Sequence, residues 1–242
     1  MEPPSKFIGY QGRFEKLRVL RALDPITHDN FDNSVKLGQY EKGSVQATPV
    51  PPYADDVGRT AGTETFTALC CQISNWRCSG VPFFQTCKCL ASRASEIVVI
   101  FRHSPHNIFG IGVRGLEVME QHRLVIRLQP DEGLKLLMSS KEPGPGGMPL
   151  FPASLNLSFN EIFKTCLLEA YERFLMDGTR GNQTLLMRSN KVEAACTFFD
   201  SMMNETKKRK LEKDTVGSWG SVSSLELKAI HRHRWIKPEE HG

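Results

Sequence analysis

Four segments of this chain alternate their side chains with the period of a β-strand, and they follow one another without a regular strand–helix–strand alternation. That order constrains the fold more than any other feature, because strands first and helices later is the pattern of an α+β domain with a largely antiparallel sheet. Residues 63–76 (TETFTALCCQISNW) set Thr65, Thr67, Leu69, Cys71 and Ile73 against Phe66, Ala68 and Cys70, with the β-branched and aromatic content strands favour. Both faces carry apolar residues, which predicts burial on both sides. Residues 95–101 (SEIVVIF) form a second such segment, and residues 123–129 (RLVIRLQ) a third in which Leu124, Ile126 and Leu128 face one way. In the fourth, Leu155, Leu157 and Phe159 alternate with Asn156 and Ser158.

Helical spacing brackets these strands. Residues 15–23 (EKLRVLRAL) place Leu17, Leu20 and Leu23 on one stripe, and Pro25 stops the helix. The next stretch, residues 24–60, is rich in Pro, Asp, Asn and Gly and reads as a long irregular connection with room for a short second helix. Beyond the strands, Leu167, Tyr171, Phe174 and Leu175 share a stripe in a helix that Gly178 ends. Asn190 with Glu193 reads as a cap for a second helix, along which Val192, Cys196, Phe199 and Met203 continue at helical spacing.

Composition excludes several classes of function. In 242 residues, Lys and Arg exceed Asp and Glu by 31 to 27, and this net charge of +4 is too small to make phosphate-backbone binding the default. The basic run at residues 207–210 (KKRK) is flanked by acidic residues and has no interleaved aromatics, so it reads as a solvated helix end. Seven cysteines form an odd set without a signal peptide, pointing to free thiols in a reducing compartment, and no apolar stretch approaches a membrane span. Their adjacent and C-x-C spacings do not suit zinc, and the cationic HRHRW near the end does not suit any metal.

Gly110, Gly112 and Gly115 spell a literal G-x-G-x-x-G, yet neither the buried strand before it nor the long helix after it is present, so it reads as a glycine-rich loop. Gly144, Gly146 and Gly147 lack the Lys-Ser/Thr ending of a phosphate-binding loop. No serine-hydrolase elbow occurs. From spacing alone, Arg123 and Arg127 share a strand face beside Gln129, and Lys88 and Arg93 precede the neighbouring strand, a cluster suited either to an anion or to structural ion pairs.

Several segments together resemble the C-terminal half of the glucose-6-phosphate dehydrogenase family. They run in order: GQY at residues 38–40, TETFTALCCQISNWRCSGVPFF at 63–84, RLVIRLQPDEG at 123–133, EAYERFLMDGTRGNQTLLMRSNKVEAAC at 169–196 and GSWGSVSSLELKAIHRHRW at 217–235. The last is similar to the family's bacterial-type ending. The resemblance implies an α+β domain at residues 15–235, between a polar start (1–14) and a tail (236–242), built on a large antiparallel sheet with helices on one face, through which members dimerise. It also implies the family activity, oxidation of glucose 6-phosphate with NADP in the cytoplasm.

By the same resemblance, Lys88 aligns with a lysine that faces the sugar, Arg93 with a basic residue five positions on, and Gln129 with a substrate contact. Arg127 aligns with a residue that touches a structural NADP in animal-type members. The family's cofactor domain and catalytic histidine have no counterpart here, so no catalytic residue is carried over and the chain is expected to be inactive alone. The alternative is a non-catalytic module that pairs with a full-length subunit. Departures cluster near the sugar loop, where a residue is deleted around Gln85 and Cys87 replaces a glycine; Cys78 and Cys196 replace tryptophans.

Overall fold

The computed structural model describes residues 10–45, 47–58, 62–87, 94–103, 121–141, 143–144, 150–164, 170–182 and 186–230. In chain order, α1 (Tyr10–Arg21) and α2 (Phe31–Ser34) precede β1 (Val35–Glu41), β2 (Gly43–Val45), β3 (Thr48–Val50), α3 (Tyr53–Asp56), β4 (Phe66–Cys71) and β5 (Phe83–Cys87). Next come β6 (Ser95–Ile100), β7 (Arg123–Gln129), β8 (Gly133–Lys141), β9 (Leu150–Ser158) and α4 (Phe159–Phe163). The chain continues through α5 (Ala170–Thr179), α6 (Ser189–Thr206), β10 (Glu212–Thr215) and α7 (Val222–Ile230). Helices and mainly antiparallel strands thus coexist as expected of an α+β domain, and they form two compact units.

The first unit combines α1 through β5 with α5, α6, β10 and α7. Its sheet has the order β10-β1-β4-β5, and only the β1–β10 pair is parallel. The expectation that β4 is buried on both sides holds. Leu69 joins Ile26, Phe31, Val35, Leu37, Phe198 and Met202 in one cluster, whereas Phe66, Ala68 and Cys70 alternate to the other face and meet Leu227 of α7. Helices therefore flank this sheet on both sides. Strand β1 lies within residues 24–60, where the composition predicts an irregular connection, because Gly38 and the flanking Pro, Asp and Asn residues mask its alternation.

The second unit holds β6 through α4, and its sheet runs β6-β7-β8-β9 with every pair antiparallel. Two cross-strand rows span it, Ile97–Ile126–Leu134–Leu157 and Val99–Leu124–Leu136–Leu155. These rows share one face, and Leu155 in them is 64% exposed. The opposite face carries Arg123, Val125 and Arg127, and there Val125 is fully buried. Leu124, Ile126 and Leu128 do face one way, as their alternation predicts, and theirs is the more open side of β7.

Candidate functional site

The segment that should meet a sugar follows β5, so the positioning of the β4–β5 hairpin comes first. Beyond β4 the chain is tied to the end of α1: the Ser74 N–H donates to the Ala22 carbonyl at 2.7 Å, the Asp24 N–H to the Gln72 carbonyl at 3.0 Å, and Ser74 Oγ to Asp24 Oδ1 at 2.5 Å. The Asn-Trp-Arg turn then closes locally. Asn75 Oδ1 accepts the Cys78 N–H at 2.7 Å, and Gly80 at φ +74° supplies the left-handed backbone. Trp76, held at the tip, is fully exposed. From there β5 pairs with β4 in the register Thr67 opposite Cys87, which delivers the chain to position 88.

Lys88 and Arg93 themselves lie outside the described residues, as do the two glycine-rich loops' central residues and the HRHRW segment. Gln129 is described: it ends β7, is exposed, and stands opposite Ser95. A cis peptide joins it to Pro130. Arg127, two residues earlier on the same strand face, is half-buried between Glu96 and Gly133 in the cross-strand register. Its Nη2 donates to Asn156 Oδ1 at 2.9 Å, while its buried Nε has no hydrogen-bond partner among the described residues. Gly133 makes room for this guanidinium, since a Cβ there would come within 2.9 Å of Nη2 and collide with the Leu157 carbonyl.

Sequence reasoning missed Asn156 and Gly133 as the residues that fix Arg127. The available signal was their position in a strand next to an apolar residue, which sets the face but not the partner. Arg123, expected beside Arg127, does share its face and is buried.

The GQY and GSWG segments prove to be structural. Tyr40 anchors β1 in three ways: its N–H donates to Thr65 Oγ1 at 2.9 Å, its hydroxyl to Asp56 Oδ2 at 3.1 Å, and its ring meets Tyr53 edge-on at 5.6 Å. Gly38 lies against Phe66 and the Asp214 carboxylate. In the tail, Gly220 at φ +99° packs on the Phe66 ring, and just before α7 the Ser221 carbonyl accepts from Ser224 Oγ at 2.6 Å. Burial pushes the Asp214 carboxyl above its usual range, and its Oδ1 lacks a described partner.

Two further groups have settled roles. Burial, then the neighbouring Cys70, raises the Cys71 thiol to about 11, which keeps it protonated and inert at neutral pH. In the basic run, Lys208 pairs with Glu205 at 2.6 Å, and Arg209 pairs with Asp32 at 3.0 Å while lying 5.1 Å from the Phe31 ring centre. Among the described residues no group of three or more His, Cys, Asp or Glu is placed to hold a metal ion, and no helix is long and apolar enough to cross a membrane.

Comparison with known proteins matches residues 1–236 to the family model described as glucose-6-phosphate dehydrogenase, C-terminal domain. The glucose-6-phosphate 1-dehydrogenase of Rhizobium meliloti (strain 1021) is 42% identical over 94% of this chain and 46% of its own length. That of Mycolicibacterium smegmatis is 40% identical over 97% of this chain and 48% of its own. A solved glucose-6-phosphate dehydrogenase in complex with its substrate glucose 6-phosphate superimposes with a TM-score of 0.82, 28% identity, and coverage of 98% of this chain and 48% of that one. The chain spans about half the length of the curated relatives it matches.

Proposed function

The chain belongs to the glucose-6-phosphate dehydrogenase family, whose C-terminal domain it matches along nearly its whole length, and from that premise we propose that it is the substrate-side and assembly half of such an enzyme. The observation that carries this reading is the placement of the match, which fills this chain yet covers about half of each relative. The reaction would be hydride transfer from C1 of glucose 6-phosphate to NADP. Lys88, Arg93 and Gln129 form the sugar-phosphate side, two cations and an amide suited to a phosphate and to hydroxyls.

The described residues do not amount to an NADP site. Arg127 is the one candidate contact, and its Nη2 is committed to Asn156. No catalytic step is therefore assigned to this chain, and we read it as inactive alone. The thiols of Cys71 and Cys196, outside any disulfide, support a reducing, cytoplasmic setting.

The test is direct. Purified chain with glucose 6-phosphate and NADP is expected to give no rise in absorbance from the reduced cofactor; turnover that co-purifies with the chain would overturn the inactive reading. Millimolar glucose 6-phosphate is expected to shift the melting temperature slightly, and less so in Lys88→Ala and Arg93→Ala. An unchanged melting temperature in the parent chain would remove the sugar-phosphate assignment.

The open apolar face of the β6–β9 sheet favours a second reading alongside the first, in which this face pairs with a second copy or with a full-length subunit.

A further inference from the structure

The most amphipathic helix among the described residues, α5, is also the least covered. Tyr171, Phe174 and Leu175 share one stripe and are 82%, 45% and 66% exposed. No other described helix or strand packs along it. The helix is nonetheless well terminated, with Gly181 at φ +69° donating its N–H to the Gly178 carbonyl and the Asn182 side chain bonding to Asp177 at 3.0 Å. A capped helix with a continuous apolar stripe facing water is built to be covered.

Charge and buried area separate three classes of occupant. A membrane surface would call for a basic polar face, whereas the polar side of α5 mixes Glu172 and Asp177 with Arg173. A second copy meeting stripe to stripe would bury three side chains a side, far short of the roughly 800 Å² per partner that a stable dimer needs. A domain in the same polypeptide faces no such threshold, because covalent linkage holds it at millimolar effective concentration. The full-length relatives carry such a domain: their matched half is C-terminal, and it covers less than half of their length.

We infer that α5 is the docking helix for the amino-terminal half of the family's full-length chain, which seats an apolar groove over Tyr171, Phe174 and Leu175. This rests on the reading of the chain as the C-terminal half of the enzyme. The experiment joins this chain behind the amino-terminal half of the Rhizobium meliloti relative and compares thiol labelling of Leu175→Cys in that chimera and in the chain alone, site by site by mass spectrometry. Labelling is expected to be at least ~10-fold slower in the chimera, as burial of an exposed position requires. Equal rates in a folded chimera overturn the proposal. Protection in the chain alone that grows with protein concentration also overturns it, in favour of a second copy.

If the chimera does not fold, the two halves co-expressed as separate chains give the same readout, and no protection there overturns the proposal as well. NADP reduction by the chimera reports separately on the functional reading, so an active chimera with unprotected Leu175→Cys sinks the docking helix alone.

Discussion

Gly220 and Gly58 both have positive φ, +99° and +66°, but a Cβ at Gly220 would collide with the Phe66 ring while one at Gly58 would meet open space. The two positions separate backbone strain from overpacking. Gly58→Ala is expected to cost only the left-handed penalty, about 1 kcal/mol. Gly220→Ala adds overpacking against a buried aromatic, about 1–3 kcal/mol more. Urea midpoints measured side by side check this, and equal losses would show that the Phe66 cluster yields freely. Asp214 makes a second residue-scale prediction. Its folded-state pKa is raised by burial, so the protonated form suits the fold, and the carboxylate weakens the fold increasingly as pH rises through and above the ordinary carboxylate range. Asp214→Asn should therefore raise thermal stability at neutral pH and lose that advantage in acid. A gain that persists unchanged at low pH would point to some cause other than ionisation.

At the scale of elements, α6 shows what periodicity reads and what it leaves open. The expected stripe Val192, Cys196, Phe199 and Met203 exists, but it faces solvent; Phe198, Met202 and Thr206, on the adjoining face, are the buried ones. Both stripes are apolar at 3.6-residue spacing, so only the neighbours decide, and the neighbours are α1 and the Phe31–Val35–Leu37–Leu69 cluster. Phe198→Ala should cost about 3–5 kcal/mol as a core truncation, and Phe199→Ala well under half of that. Equal costs would mean that α6 is rotated from its described position. The same limit explains β7, where Leu124 and Ile126 outrank Arg127 in hydropathy but an arginine face, with Val125 at its centre, is the buried one. The helix start was also displaced: α6 begins at Ser189 with Arg188 as the capping residue, so Asn190 lies inside the first turn and caps nothing. By contrast β4 was readable, because apolar residues on both of its faces admit a single environment.

At the scale of the whole molecule, the family was legible from ordered motifs, while the division of strands between sheets was not, since pairing partners far apart in sequence leave no local signal. Spacing groups the candidate site residues but only resemblance assigns them roles; Gln129 and Arg127 are placed on β7, and Lys88 and Arg93 lie outside the described residues. What alternation does expose is the open face of the second unit. Two four-residue aliphatic rows cross β6, β7, β8 and β9, and Ile97, Val99, Leu155 and Leu157 in them are 40–64% exposed. An open apolar sheet face of this kind can meet its own copy about a two-fold axis, each row packing on the partner's as in stacked sheets. The chain is therefore expected to self-associate in sedimentation velocity. Leu155→Glu places a charge on the most exposed apolar position of that contact, at the β9 end of its row, and a loss of about 2 kcal/mol there corresponds to a ~30-fold weaker dimer. Its monomer stability should hardly move, because Leu155 is already exposed in the isolated chain. A full-length relative's subunit added in excess should compete for the same face, and Leu155→Glu should block that too. A chain that stays monomeric at every concentration and ignores the full-length subunit would leave the sheet face without this role, and an unweakened dimer in Leu155→Glu would move the contact elsewhere.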